Sequence, residues 1–308
     1  MGAAEGRAAT LVIHPGALGD VLQAVPALRA LRRRGPLVFS GQARFGALLR
    51  ALGLIDAALG FDGLGLEALF AREALPSSLS ARLAGFGRVV SWFGARDAVY
   101  RENLRDVVGD CVIAPSQPVD ESPLTVWQHL LATTCDAASP ELDPLGVSPA
   151  ARDEASRVLA GLGLTRARPL LVVHPGAGGA SKQWPAELHA RAVAIATRAI
   201  DAEVLIHQGP ADADAAEPLW RALGGHSARL VEPDLPVLAA VLARAGAYLG
   251  GDTGVSHLAA AVGAPAVILF PAATRERWAP WSPTALALAM TDGPDRVAAA
   301  LGARLRRP

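Results

Sequence analysis

Cysteine is nearly absent from this sequence, because Cys111 and Cys135 are the two cysteines among its 308 residues. Two isolated thiols exclude a disulfide framework and a cysteine-ligated zinc site. We therefore expect both thiols to be inert and the protein to work in a reducing compartment.

An excess of charge is also absent, since 29 basic residues balance 29 acidic ones. General nucleic-acid binders carry a basic surplus, so this class is excluded, and any anion site has to be local. No run of about 20 uninterrupted apolar residues could span a bilayer. Residues 1–10 also lack the basic region, apolar stretch and cleavage site of a secretory signal. We expect a soluble cytoplasmic protein.

The chain is long enough for two domains of about 150 residues each. Short β-branched runs alternate with alanine- and leucine-rich stretches of helical length, which predicts α/β units around parallel sheets. Residues 137–149 contain three prolines and no periodicity, which is typical of a linker. We place the domains at residues 1–150 and 151–308. The predicted strands are Thr10–His14, Pro36–Ser40, Arg88–Trp92, Asp110–Ala114, Leu170–His174, Glu203–His207, Ala228–Val231, Ala247–Gly250 and Ala266–Phe270.

A weak internal repeat supports this division. The segment Leu11–Ala17, with sequence LVIHPGA, returns as LVVHPGA at Leu171–Ala177. Each copy predicts a strand that enters a glycine-bearing loop before a helix, which is where a parallel sheet forms its ligand crevice. We expect two such domains to face one another across a cleft.

The first loop, His14–Asp20, opens a helix that we predict to continue through Leu31. Gly16 and Gly19 permit close backbone approach, and Asp20 lies where the helix begins. An aspartate there either caps the helix or acts in catalysis, and the loop alone favours the cap.

The second loop, His174–Pro185, contains the single lysine of the chain, since 28 of the 29 basic residues are arginine. Flexible backbone near Gly178, the Ser181 hydroxyl and the Lys182 ammonium form a plausible cradle for phosphate oxygens. The alternative is a surface loop with Pro185 in the first turn of the next helix. The unique lysine favours a functional loop.

The third loop, Gly250–Ala261, follows a predicted strand and leads into a helix of small residues. Amides from Thr253 to Ser256 would then lie at a helix N-terminus, which suits an anionic phosphate. Asp252 has the alternative role of N-cap. For His257 alone, a packed helix residue is the favoured interpretation.

The pair Asp212 and Asp214 imitates the metal-binding aspartates of another class of sugar transferase. A turn and a helix start explain both residues, so we assign no metal site there. Ribose recognition by either aspartate is a further hypothesis.

Taken together, the three loops resemble glycosyltransferase family 9, the ADP-heptose:lipopolysaccharide heptosyltransferases. The resemblance spans residues 11 to 281 and depends on three motifs that occur in order. The matching residues are Gly16-Ala-Leu-Gly-Asp20 with Pro26-Ala-Leu, His174-Pro-Gly176 with Lys182 and Trp184-Pro185, and Asp252-Thr-Gly254 with His257-Leu-Ala-Ala260.

The resemblance implies a GT-B fold with two Rossmann-like domains, the first holding the acceptor and the second the donor. It also implies inversion at the anomeric carbon without a metal, and no cofactor besides the nucleotide sugar. The implied catalytic residues are Asp20, as general base, and Lys182, as the cation on the donor phosphates. Gly16, Leu18 and Gly19 belong to the acceptor-side loop. The candidate donor-binding residues are Gly178, Ser181, Lys182, Asp252, Thr253, Gly254 and His257.

The chain departs from the family pattern at three places, one of which is Ala177 and Gly178, where some members have threonines. His14-Pro15 stands where the family often has arginine or lysine, and Pro271-Ala-Ala-Thr274 replaces the usual Gly-Pro-Thr. Arginines of the first domain are candidates to meet an acidic acceptor, although no individual one is selected. They are Arg44, Arg72, Arg82, Arg88, Arg96, Arg101 and Arg105.

The expected function is therefore transfer of heptose from ADP-heptose to a lipid-linked lipopolysaccharide core acceptor. The enzyme would work in the cytoplasm, at the inner face of the cytoplasmic membrane. Alternatives are a transferase for another nucleotide sugar, a nucleotide-sugar epimerase of the same fold, and a non-catalytic two-domain ligand-binding protein.

Overall fold

A computed structural model describes residues 8–134, 139–164, 167–179, 182–198, 200–225 and 227–306. The chain forms two compact units, Met1–Glu141 and Leu142–Pro308. Cys135, the beginning of the predicted linker and Ser181 lie outside the described residues.

The first unit is built on a sheet of five parallel strands in the order β3-β2-β1-β4-β5. Its elements include two short 3₁₀ segments, Asp62–Leu64 and Leu66–Phe70. The strands and helices are β1 Thr10–Ile13, α1 Leu18–Gln23, α2 Val25–Arg32, β2 Leu37–Gly41, α3 Ala43–Ala51, β3 Ala57–Gly60, α4 Ser77–Ala84, β4 Arg88–Ser91, α5 Ala98–Val107, β5 Cys111–Ile113 and α6 Val126–Thr133.

The second unit contains six parallel strands in the order β11-β10-β9-β6-β7-β8. Its elements are α7 Pro149–Gly161, β6 Leu170–His174, α8 Ala186–Arg198, β7 Glu203–Gln208, α9 Ala213–Ala222, β8 Ala228–Val231, α10 Leu235–Ala243, β9 Ala247–Gly251, α11 Gly254–Ala261, β10 Ala266–Phe270, α12 Arg275–Trp278, β11 Leu286–Ala289 and α13 Pro294–Leu305.

Both sheets have the doubly wound order of Rossmann-like domains. The first strand of each unit lies inside its sheet, where the strand order reverses direction. These reversals fall between β1 and β4 in the first unit, and between β6 and β9 in the second. Because ligands bind at the carboxyl ends of the strands beside such a reversal, the loops after β1, β4, β6 and β9 are the places to look for a site.

The central strands are buried on both faces, as expected for parallel sheets that helices cover. In the second unit Val173, Ile206 and Leu249 of the sheet pack with Val193 of α8 and Leu301 of α13. Full burial of each such side chain contributes about 1.5–3 kcal/mol. This packing fixes the strand ends and therefore the loops that follow them.

The α/β class and the nine predicted strands are confirmed, with ends that differ by at most one residue. Two further strands, β3 and β11, are absent from the prediction. Their sequences, AALG and LALA, lack β-branched residues, and both lie at sheet edges, where pairing with β2 and β10 forms them.

The predicted helix from the first loop to Leu31 is wrong, because two helices, α1 and α2, occupy this stretch. The division falls at Ala24. Pro26 is the reason, since it has no amide hydrogen to donate to the carbonyl of Leu22 and its ring crowds the preceding turn.

The division between units falls at 141/142 rather than 150/151. Residues after Glu141 already pack on the second unit: the Leu145 amide donates to the Ala261 carbonyl at 2.8 Å, and Pro144 lies against Gly263. More than half of the predicted linker is thus part of the second unit. Among the described helices, none combines the length and apolar composition needed to cross a bilayer.

A buried histidine makes the second unit sensitive to acid. His189 of α8 is 1% exposed and packs edge-on against Trp184 with ring centroids 5.0 Å apart. Burial lowers the pKa of His189 from 6.5 to about 4, and the backbone carbonyl of Pro185 only partly offsets this effect. The folded protein therefore holds this ring neutral where the unfolded chain would protonate it.

We predict that His189→Gln flattens the acid dependence of stability. Between pH 6.5 and pH 4 the unfolded wild-type chain binds more protons at this position, so the free energy of unfolding falls as the pH is lowered. A shift of this size corresponds to roughly 3 kcal/mol over that window. Denaturant unfolding at several pH values measures the difference. His129→Gln, at a partly exposed ring, is the control, and equal slopes for wild type and His189→Gln would contradict the prediction.

Candidate functional site

The second unit brings two of the sequence motifs into direct contact. Lys182 follows β6 in the chain and Asp252 follows β9, and these strands are neighbours across the reversal of strand order. The Lys182 Nζ donates to Asp252 Oδ2 at 2.8 Å. The lysine side chain remains 40% exposed, whereas the aspartate side chain is 6% exposed. A cation is thus held at the edge of the sheet with part of its surface open to solvent.

Asp252 is the buried anchor of this pair. Burial is the largest single influence and raises its pKa, but interactions with His257 and Lys182 outweigh burial, so the pKa of Asp252 lies below 3.8. His257 Nε2 lies 3.8 Å from Asp252 Oδ1. The carboxylate is therefore ionised at neutral pH and contacts the lysine on one side and the imidazole on the other.

The start of α11 presents backbone amides beside the ion pair. Thr253 is the N-cap, and its hydroxyl accepts the Ser256 amide at 3.3 Å. The amides of Gly254 and Val255 have no partner within the described part of the chain, because the first turn of a helix lacks intrahelical acceptors. The sequence predicted free amides from Thr253 to Ser256. The Ser256 amide is not free, because it donates to the hydroxyl of the N-cap Thr253.

The loop between β6 and α8 passes closely over the end of β9. We name the described parts of this loop, Pro175–Gly179 and Lys182–Trp184, the lysine loop. A Cβ on Gly251 would lie 3.2 Å from the Lys182 carbonyl oxygen, so the glycine permits this close approach. Gly178 is exposed, and a side chain added there would meet no atom within 4 Å.

In the first unit, Asp20 lies in the first turn of α1. Its Oδ2 accepts the Ala17 amide at 2.9 Å, which is the capping role that the sequence allows. Its Oδ1 has no hydrogen-bond partner among the described residues, so the same carboxylate keeps a basic oxygen. Leu18 and Gly19 are the first residues of α1. A Cβ on Gly16 would lie 2.8 Å from both Asp20 Cβ and His14 Cε1, so only glycine fits there.

His14 lies behind this loop and is 1% exposed. Burial lowers the pKa of His14 to about 4, and the Asp20 charge only partly offsets the effect. Its Nδ1 accepts the Gly16 amide at 3.4 Å. Where the family often has a cation, this chain therefore places a neutral ring beside Asp20.

An aromatic cavity of about 470 Å³ opens at the carboxyl ends of β4 and β5. The Trp92 indole lines the cavity and packs edge-on against His14, with ring centroids 5.5 Å apart. Arg96 is exposed in the cavity wall and forms no ion pair within the residues that the structure describes. The lining residues are Phe70, Trp92, Phe93, Gly94, Ala95, Arg96, Asp97, Pro115, Ser116 and Gln117.

Sequence reasoning missed two features of these strand ends. One is the aromatic cavity, whose residues come from three separate segments. The other is a contact between His174 and His207, whose Nδ1 atoms are 3.0 Å apart. A histidine at the end of each of two successive strands was a signal for this contact.

Asp212 and Asp214 lie at a turn and a helix start, since α9 begins at Ala213. The Asp212 Oδ2 accepts the Gly209 amide at 2.9 Å, while Asp214 is exposed. Within the described residues, no group of three or more histidine, cysteine, aspartate or glutamate side chains is arranged to hold a metal ion.

The fold is similar to that of several solved glycosyltransferases. A glycosyl transferase of family 9 from Veillonella parvula superposes with a TM-score of 0.77 at 15% identity, covering 97% of each chain. E. coli ADP-heptose LPS heptosyltransferase II gives 0.73 at 20% identity, covering 96% of this chain and 98% of its own. E. coli heptosyltransferase WaaC with ADP gives 0.66 at 15% identity, covering 96% and 99%. The protein therefore has the GT-B glycosyltransferase fold.

The family follows from the sequence. The family model described as glycosyltransferase family 9 (heptosyltransferase) matches residues 114–300, more than half of the chain. No curated protein matches the sequence significantly. The chain belongs to glycosyltransferase family 9, as the three loop motifs indicate.

Proposed function

We propose that this family 9 glycosyltransferase transfers heptose from ADP-heptose to a lipid-linked saccharide of the lipopolysaccharide core, with inversion and without a metal ion. The observation that carries the proposal is the 2.8 Å ion pair between Lys182 and Asp252 beside the amides of α11. Support for the sugar and nucleotide comes from the similar E. coli proteins, one called an ADP-heptose LPS heptosyltransferase and one solved with ADP. The reaction would take place at the inner face of the cytoplasmic membrane.

The second unit stabilises the leaving group in this mechanism. As the bond between the anomeric carbon and the diphosphate oxygen breaks, negative charge grows on the diphosphate. Lys182 offers its exposed N–H groups to that charge, and the Gly254 and Val255 amides at the start of α11 add the positive end of a helix dipole. Asp252 holds the lysine in place. The lysine ammonium thereby takes the role that a metal ion has in other sugar transferases.

The first unit activates the acceptor. A sugar hydroxyl is a weak nucleophile at neutral pH, and a carboxylate within hydrogen-bond reach can take its proton as the new bond forms. Asp20 supplies this base through Oδ1, while the Ala17 amide fixes Oδ2. The hydroxyl oxygen bonds to the anomeric carbon, the diphosphate departs from the opposite face, and the proton passes to Asp20.

The aromatic cavity is the place we propose for the acceptor sugar. Phe93 and the 39% exposed Phe70 offer apolar ring surface to the C–H face of a pyranose. Arg96 offers a guanidinium to an acidic substituent. The wall residue Trp92 contacts His14, which borders the Asp20 loop. The cavity and the proposed base, Asp20, therefore lie at the same end of the first sheet, where its strands have their carboxyl ends.

We predict that Asp20→Asn lowers kcat by at least about 100-fold, because removal of a general base usually costs two to four orders of magnitude. ADP binding stays near the wild-type value, since the asparagine still accepts the Ala17 amide. The measurement is ADP release in the presence of acceptor. Three outcomes would contradict the mechanism. They are ADP release by the wild type without acceptor, normal turnover by Asp20→Asn, and loss of wild-type activity in excess chelator.

We predict that Lys182→Ala weakens ADP binding and lowers kcat about 100-fold, as expected for loss of a positive group at a developing charge. The thermal shift that ADP causes should exceed the shift caused by UDP in wild type and shrink in the variant. Arg191→Ala, an exposed cation on α8, is the matched control. Unchanged ADP affinity and kcat in Lys182→Ala would remove the lysine from the donor site.

We predict that Arg96→Ala raises the KM for an acidic acceptor about tenfold, because it removes a charge-assisted hydrogen bond. The KM for donor should not change. Arg105→Ala, at an exposed arginine of α5, is the control. An acceptor KM that stays at the wild-type value would place the acceptor outside this cavity.

A further inference from the structure

A buried group of polar side chains connects the ends of β6 and β7. His174 ends β6 and His207 lies opposite it on β7. The two rings are 2% and 3% exposed, and their Nδ1 atoms are 3.0 Å apart. His174 Nδ1 also lies 3.9 Å from Asp212 Oδ2. We call His174, His207 and Asp212 the histidine–aspartate cluster.

The Asp212 carboxylate joins two loops through two glycines. Its Oδ2 accepts the Gly209 amide at 2.9 Å, and a Cβ on Gly209 would lie 2.7 Å from the same oxygen. On the other side, a Cβ on Gly176 would overlap Oδ1. The carboxylate therefore fills the space beside Gly176 in the lysine loop while it is hydrogen-bonded to the loop after β7.

The rings of the cluster are neutral. Burial, reinforced by the neighbouring His174, lowers the pKa of His207 to about 3. Burial also lowers the pKa of His174, although Asp212 and the His207 carbonyl oppose this effect. One ring can then donate its N–H to the other, so the 3.0 Å contact is a hydrogen bond rather than a repulsive pair of cations.

The cluster and the ion pair hold opposite ends of one loop. Gly176 packs against the Asp212 carboxylate on the β7 side of β6. Lys182 is fixed by Asp252 on the β9 side, where its backbone also passes closely over Gly251. A loop held at both ends loses less conformational entropy when a ligand binds than a free loop does.

We propose that the histidine–aspartate cluster holds the lysine loop in the conformation that places Lys182 beside Asp252. His174, His207 and Asp212 are thus positioning residues for the donor diphosphate. Both carboxylate oxygens of Asp212 already contact the two loops, so its role differs from ribose recognition. The inference rests on the proposed function, because it takes the lysine loop to bind the donor.

The first test uses the free protein and needs no donor. Asp212→Ala should speed amide hydrogen exchange in peptides from the lysine loop, since local opening governs exchange there. Asp212→Asn should stay close to wild type, because its amide oxygen can still accept the Gly209 N–H. Asp214→Ala, at the exposed aspartate two residues later, is the matched control. Unchanged exchange in Asp212→Ala would overturn the proposal.

The second test separates donor binding from chemistry. Asp212→Ala should raise the dissociation constant of ADP and the donor KM about tenfold, as loss of a hydrogen bond to a charged group does, with a smaller change in kcat. Equal losses in kcat and in the folded fraction would show a merely structural role and overturn the inference. Retention of wild-type donor KM by Asp212→Asn is the expected rescue.

A second variant covers the case in which Asp212→Ala does not fold. His207→Phe keeps a ring in the same space and removes the hydrogen-bond partner of His174, so the same direction of change in exchange and ADP binding is expected. Wild-type exchange and ADP binding in His207→Phe would overturn the proposal. Failure of wild type to bind ADP would instead contradict the proposed function, while the exchange measurement still decides whether the cluster holds the loop.

Discussion

The handedness of strand–helix–strand connections is the constraint on which the candidate site depends. Connections between parallel strands are almost always right-handed, so a sheet that grows first to one side and then to the other leaves a gap between helices at the reversal. In both units that gap lies beside the first strand, after β1 and after β6. The internal repeat LVIHPGA and LVVHPGA marks these strands, and the loops that carry Asp20 and Lys182 follow them. Topology thus decides which residues of each unit become available to a ligand.

In the second unit, neighbouring groups of opposite charge offset the cost of burying a carboxylate. Burying the Asp252 carboxylate alone would cost several kcal/mol, and contact with Lys182 and His257 offsets that cost. The lysine therefore has a fixed direction although much of its side chain faces solvent. The first unit differs, since burial lowers the pKa of His14 to about 4 and the ring beside Asp20 is neutral. The proposed mechanism depends on this difference, because it uses the cation of the second unit for the donor and the carboxylate of the first unit for the acceptor.

Much of the fold could be predicted because β-branched runs such as those of β6 and β10 specify buried strands by themselves. AALG and LALA do not, since alanine and leucine become strand at β3 and β11 through pairing at a sheet edge. The lysine and the aspartate of the ion pair could be predicted from motifs, but their 2.8 Å contact joins residues 70 apart in the chain. The histidine contact and the aromatic cavity depend on which side chains share a face at the strand ends. The order of residues in the sequence does not specify which side chains share a face, so these two features become evident only in the folded structure.

The space between Gly176 and Asp212 has a consequence for redesign. The aspartate oxygen occupies the volume that any larger residue at position 176 would need, and the turn at Gly209 is closed by the same carboxylate. A larger residue at position 176 or 209 therefore needs a smaller side chain at position 212. A library that varies the lysine loop alone, in search of an enzyme for a different nucleotide sugar, would accumulate misfolded loops unless positions 209 and 212 were randomised with it.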